Sequence, residues 1–139
     1  MADLYALIKL HKHELDEKRL FLKKLYDAQN AIEEEREFLQ KRLEKEKKAV
    51  EELGDIHFTF ANFREDIKNR NELLDNREIA LNQEIEEAKD AMMEVFSEFK
   101  KYEMTQAERE RIEKLERALA ESKDLDEIGL ESFRRIKTL

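Results

Sequence analysis

The sequence predicts an all-α protein, a long two-helix antiparallel coiled-coil hairpin forming one domain over residues 1–139. Three observations carry this. Charged residues make up 45% of the chain and apolar ones 40%, with no proline and two glycines, a composition typical of long helices rather than of a mixed compact domain. A seven-residue apolar repeat runs through the first third of the chain. One of the two glycines, Gly54, interrupts that repeat, and helix-period sequence resumes beyond it. With so few turn-forming residues, this is the place where the chain reverses.

Asp3 is suited to cap the first helix, and Leu4 begins the periodic run. From Ile8 the positions advance by alternating steps of three and four: Ile8, His11, Leu15, Lys18, Leu22, Leu25, Gln29, Ile32, Arg36, Leu39, Leu43, Glu46, Val50, Leu53. Nine of these fourteen are apolar. A period of 3.5 held this long implies a left-handed supercoil against a partner helix. The first helix is expected from about residue 3 to about residue 53, roughly 75 Å at 1.5 Å per residue. Its apolar stripe is narrow, so it needs a partner surface to stay folded. Lys18 and Arg36 can lay their methylenes along the seam with their charges in water. Gln29 can fix register, as a polar seam residue does at some cost in stability. His11 reads as a half-exposed seam residue rather than a metal ligand.

Glycine is favoured just past a helix C-terminus, and Asp55 can cap the helix beyond Gly54. Ile56, Phe58 and Phe60 alternate with polar residues, but a lone five-residue strand has nothing to pair with. The turn is expected near 54–57; the alternative is a kink at Gly54 with the turn later, up to about Asn71. A second helix, about 58–122, reads Phe60, Phe63, Ile67, Arg70, Leu74, then Leu81, Ile85, Ala88, Met92, Val95, Phe99, Tyr102. The spacing slips where two four-residue steps come in succession, at 70, 74 and 78, and weak packing is expected around Arg70, Arg77 and Glu78. Beyond Thr105 the stripe thins to Ile112, Leu115 and Leu119. Ser122 to Asp126 and then Gly129 interrupt it, which leaves residues 123–139 as a tail or a short helix.

Several classes of function are disfavoured. The chain has no cysteine, so disulfides, thiol chemistry and thiolate metal sites are ruled out. No apolar run approaches the length of a membrane span, and Met1 to Leu10 lacks the pattern of a signal peptide. The net charge of −8 argues against non-specific nucleic-acid binding. His11 and His13, two apart on a helix, point in different directions, and no Glu-x-x-His pair offers a di-metal bundle site. There is no phosphate loop or nucleophile elbow, and a two-helix rod has little volume for a water-excluding pocket. The expectation is a protein without catalytic, metal or cofactor residues that works by binding.

Two features suggest where binding occurs. Residues 1–25 hold six Lys/Arg against four Asp/Glu, and residues 129–139 hold Arg134, Arg135 and Lys137 against Glu131, so each end is net +2. In a hairpin the two basic ends are expected to lie together, away from the aromatic stretch around Phe58, Phe60 and Phe63. Those rings either plug the turn or form an exposed apolar patch of the kind that marks partner contacts. Met92, Met93, Phe96 and Phe99 give the second helix two apolar faces, either a seam with incidental exposure or an oligomer face.

The second half of the chain resembles a known family. Phe96-Ser-Glu-Phe-Lys-Lys-Tyr-Glu103, a run of charged helix, Leu125-Asp-Glu127 and Phe133-Arg-Arg135 are similar to the C-terminal half of the flagellar export protein FliJ and its relatives among type III secretion stalk proteins, the YscO family. There a Lys-x-x-Glu element precedes a basic helix ending near a Leu-Asp-Glu, and Lys100-Lys-Tyr-Glu103 and Leu125-Asp-Glu127 stand in those places. The net acidic balance departs from many relatives, which are nearer neutral or basic. The resemblance implies a monomeric stalk, cytoplasmic and peripheral at the inner-membrane export apparatus. Its paired termini would enter the central hole of the hexameric export ATPase, its far end would contact the export gate protein, and it would handle export chaperones. On that basis Lys9, Lys12, Arg19, Arg134, Arg135 and Lys137 would meet the ATPase ring, and Phe58, Phe60 and Phe63 the gate. The alternative is a structural scaffold in which two hairpins pair as a four-helix bundle through Met92, Phe96 and Phe99. A hairpin reaching into a polymerase channel would want an acidic tip, and this one is chiefly aromatic.

Overall fold

A computed structural model describes residues 4–53 and 57–138. The protein is all-α. Helix α1 spans Tyr5–Leu53 (49 residues) and helix α2 spans His57–Thr138 (82 residues), and the two pack antiparallel as a coiled-coil hairpin. The predicted N-cap Asp3, Gly54 and most of the expected turn at 54–57 lie outside the described residues, as does the side chain of Phe58. The contacts group into two compact units, Glu14–Val95 and Met1–His13 with Phe96–Leu139.

In the unit Glu14–Val95 the apolar seam is the core. Leu22, Leu25, Ile32 and Leu39 of α1 are buried with Ile67, Leu74, Leu81, Ile85 and Ala88 of α2, and Ala28, Leu43, Phe63 and Met92 pack against them. Leu15 is the most deeply buried large side chain, 2% exposed. The seam opens towards the end of α1, where Glu46 and Leu53, both placed on it by the sequence pattern, are exposed. Gln29 donates a hydrogen bond from Nε2 to Asn82 Oδ1 at 3.1 Å, a cross-helix polar contact that ties the two helices in one register. On one flank Lys89 is held above its ordinary lysine range, first by the Tyr26 hydroxyl and then by Glu86.

The segment expected to pack weakly is continuous with this core. Ile67, Leu74 and Leu81 keep one buried apolar residue every seven positions. The half-buried seam residue between the first two is Asn71, not Arg70, which moves the two successive four-residue steps to 63, 67 and 71. Charges brace the stretch from outside. Arg36 forms ion pairs with Asp75 (2.6 Å) and with Glu78, and Arg70 reaches back to Glu35 at 2.9 Å. Periodicity in one helix could not reveal this, because the bracing residues come from both.

In the other unit α1 enters beside the middle of α2. The Leu4 amide donates to Gln106 Oε1 at 3.2 Å, the Tyr5 hydroxyl donates to Glu110, and His11 stacks on Tyr102 with ring centroids 5.0 Å apart and planes 9° from parallel. Phe99 is buried there, and Lys100 lies over the Phe96 and Phe99 rings at 5.8 and 5.7 Å.

Within the described residues the predicted tail is helical: α2 runs unbroken through Ser122–Asp126 and Gly129 to Thr138. A single glycine in a helix interior costs only about 1 kcal/mol, and nothing packs within 4 Å of the position of a Cβ at Gly129. The flanking residues are good helix formers with no proline. Arg135 and Lys137 in the last turn complement the helix dipole, and Arg135 pairs with Glu131 at 3.0 Å.

Candidate functional site

The candidate contact residues do not form the single basic end that the sequence suggested. Lys9 and Lys12 are exposed on α1, close to where Leu4 meets Gln106 and His11 meets Tyr102. Arg134, Arg135 and Lys137 are exposed on α2, about 42 Å further along the helix axis than Gln106 at 1.5 Å per residue. The cause is helix length. α1 begins opposite Gln106 and Glu110, whereas α2 continues to Thr138. Arg19 belongs to the other unit and is half committed to Asp16, 3.7 Å away on its own helix.

The result is a helical overhang. From Lys114 to Lys137 every side chain is exposed, and no described residue of α1 lies opposite. Just ahead of it, charges pair at helix-neighbour spacing. Arg111 chelates Glu108 through two hydrogen bonds of 3.1 and 2.7 Å, which hold the Glu108 carboxyl below the usual range and the guanidinium above. Further along, Leu119, Leu125, Phe133 and Ile136 stand in solvent. Leu119 closes the stripe read from the sequence, and treating Ser122 and Gly129 as breaks separates it from Leu125, Phe133 and Ile136. A helical wheel drawn through both positions brings them onto one face.

The aromatic stretch is only partly open. Phe63 is half-buried against the core, with the Arg42 guanidinium over its ring at 5.3 Å from the centroid. Phe60 is also half-buried and lines an open groove of about 670 Å³ with Leu43, Ala61, Arg64 and Lys68. A second groove, about 290 Å³, lies between Phe38, Arg42, Phe63 and Arg70. For these two rings the plug reading fits better than a free patch. Of the second apolar face, Phe99 is buried and Met92 packs on the core, so the four-helix scaffold loses two of its three anchor residues.

Among the described residues no helix is long and apolar enough to cross a membrane, and no group of three or more His, Asp or Glu is placed to hold a metal ion. The comparisons with known proteins add no relative: no family model, no curated protein and no solved structure matches the chain.

Proposed function

We propose that the protein is a stalk component of a type III export apparatus of the FliJ and YscO kind. In this reading it is cytoplasmic, docked at the inner-membrane export machinery, and it links the hexameric export ATPase to the export gate while escorting chaperones. The observation that carries the reading is the overhang. Within the unit of Met1–His13 and Phe96–Leu139, a single exposed helix with a basic end suits the central hole of a ring. The resemblance of Phe96–Glu103, Leu125–Glu127 and Phe133–Arg135 to that family supplies the identity of the ring.

The ring contact is then divided. Arg134, Arg135 and Lys137 enter deepest, and Lys9 and Lys12 sit at the shoulder where α1 begins beside α2. The gate contact is assigned to the stretch of Phe58, Phe60 and Phe63, where the last two offer the open grooves they line rather than free rings. Binding of the purified export ATPase to the Arg134→Glu, Arg135→Glu variant and to the Phe60→Ala, Phe63→Ala variant tests this assignment. The first is expected to weaken binding at least tenfold, since two reversed charges meet acidic loops, and the second to spare it. Equal loss in both, or none in the first, overturns it.

A further inference from the structure

The overhang is one strand of a coiled coil without its mate. At 100° per residue, Leu125, Phe133 and Ile136 fall within one arc of about 80°, and all are more than half exposed. Charge along the same segment reverses. Residues 121–131 carry Glu121, Asp124, Asp126, Glu127 and Glu131 against Lys123, a net of −4, and residues 134–137 carry Arg134, Arg135 and Lys137, a net of +3.

We propose that this segment pairs with the same segment of a second copy of the chain, antiparallel and centred on Gly129. Antiparallel overlap lays the basic end of each copy over the acidic stretch of the other. Parallel overlap would set basic on basic and acidic on acidic. Side-chain size agrees with this register. Centring on Gly129 sets Leu125 of each copy against Phe133 of the other and the small Ser122 against Ile136. Gly129 meets itself where the helices cross, with no Cβ of its own and nothing within 4 Å of where one would stand. The overlap covers about 19 residues, or about 28 Å of helix, and with helix axes 8–10 Å apart it buries on the order of 1,200 Å², the lower bound for a stable interface. The dimer is therefore weak and reversible. Pairing does not depend on the stalk reading. Where both hold, it hides Arg134, Arg135 and Lys137 until a ring competes for them.

Sedimentation equilibrium of the full chain over a wide concentration range tests the pairing, and the seam of the hairpin lies elsewhere, so variants of the overhang keep the fold. The mass is expected to rise from one chain towards two, and Leu125→Glu with Phe133→Glu to raise the dissociation constant at least tenfold with an unchanged thermal melt. Orientation is read from disulfides, since the chain has no cysteine of its own. Oxidising a mixture of S122C and I136C proteins is expected to give the mixed dimer in excess of either homodimer. A mass of one chain at every concentration, a dimer that survives the double glutamate variant, or preferential self-linking of S122C overturns the proposal.

Discussion

Replacing Leu15 and Leu119 by alanine, one at a time, tests the boundary between seam and overhang. Both are leucines on an apolar heptad stripe, yet one is 2% exposed and the other 62%. Leu15→Ala removes three carbons from a buried site, about 2.4 kcal/mol of transfer free energy at about 0.8 per methylene. A two-helix seam is open on both flanks and can collapse, so the cavity contribution is small and the total is about 3 kcal/mol, at the low end of leucine truncations in cores. With an unfolding entropy near 2.1 cal/mol/K per residue over 139 residues, the melting temperature should fall by about 10 °C. Leu119→Ala removes little buried surface and puts the best helix former in its place, so it should stay within about 0.5 kcal/mol, or less than about 2 °C. Circular dichroism melts of dilute protein, where overhangs do not pair, read both. Equal destabilisation would mean that α1 covers Leu119, and a negligible effect of Leu15→Ala would mean that the heptad seam is not the core.

Arg36 bridges two carboxylates of α2 from a side chain only 31% exposed, so Arg36→Ala is expected to cost about 1–2 kcal/mol, whereas Arg111→Ala on the fully exposed Glu108 pair is expected to leave the melt unchanged. Melts at low and at molar salt should show the first penalty shrinking with ionic strength, and equal penalties would refute the bracing role. The Glu110 carboxyl is held below the usual range, first by the Tyr5 hydroxyl and then by Gln106. A carboxylate with a depressed folded pKa contributes stability above its unfolded value, near 4.3, and loses it as the pH falls through the folded value. Tyr5→Phe should therefore lower the melting temperature at pH 7, and the gap to the parent should close below about pH 4; a gap independent of pH would rule this contact out.

Much of this architecture was legible in the sequence. Ile8, Leu15, Leu22, Leu25, Ile32, Leu39 and Leu43 are buried or half-buried on the side facing α2, because the period of 3.5 is a local property that composition and spacing determine without a partner. Gln29 as a register contact was legible for the same reason. Two things could not be read from one helix at a time. Which residue joins the seam between Ile67 and Leu74 depends on what α1 places opposite: Glu35 draws Arg70 outwards to 2.9 Å, and Asn71 takes the seam position. The separation of the basic ends also depends on a length difference that no local pattern encodes. Glycine in mid-helix and a proline-free break look alike in sequence, and only continuous backbone hydrogen bonding through Gly129 decides that α2 outlasts α1. Sequence by itself determined two helices, their facing stripe and the absence of thiol chemistry. Tertiary structure decided where pairing stops, and so which apolar and basic residues stay exposed, because burial belongs to a pair of surfaces and a single chain segment carries only one of them.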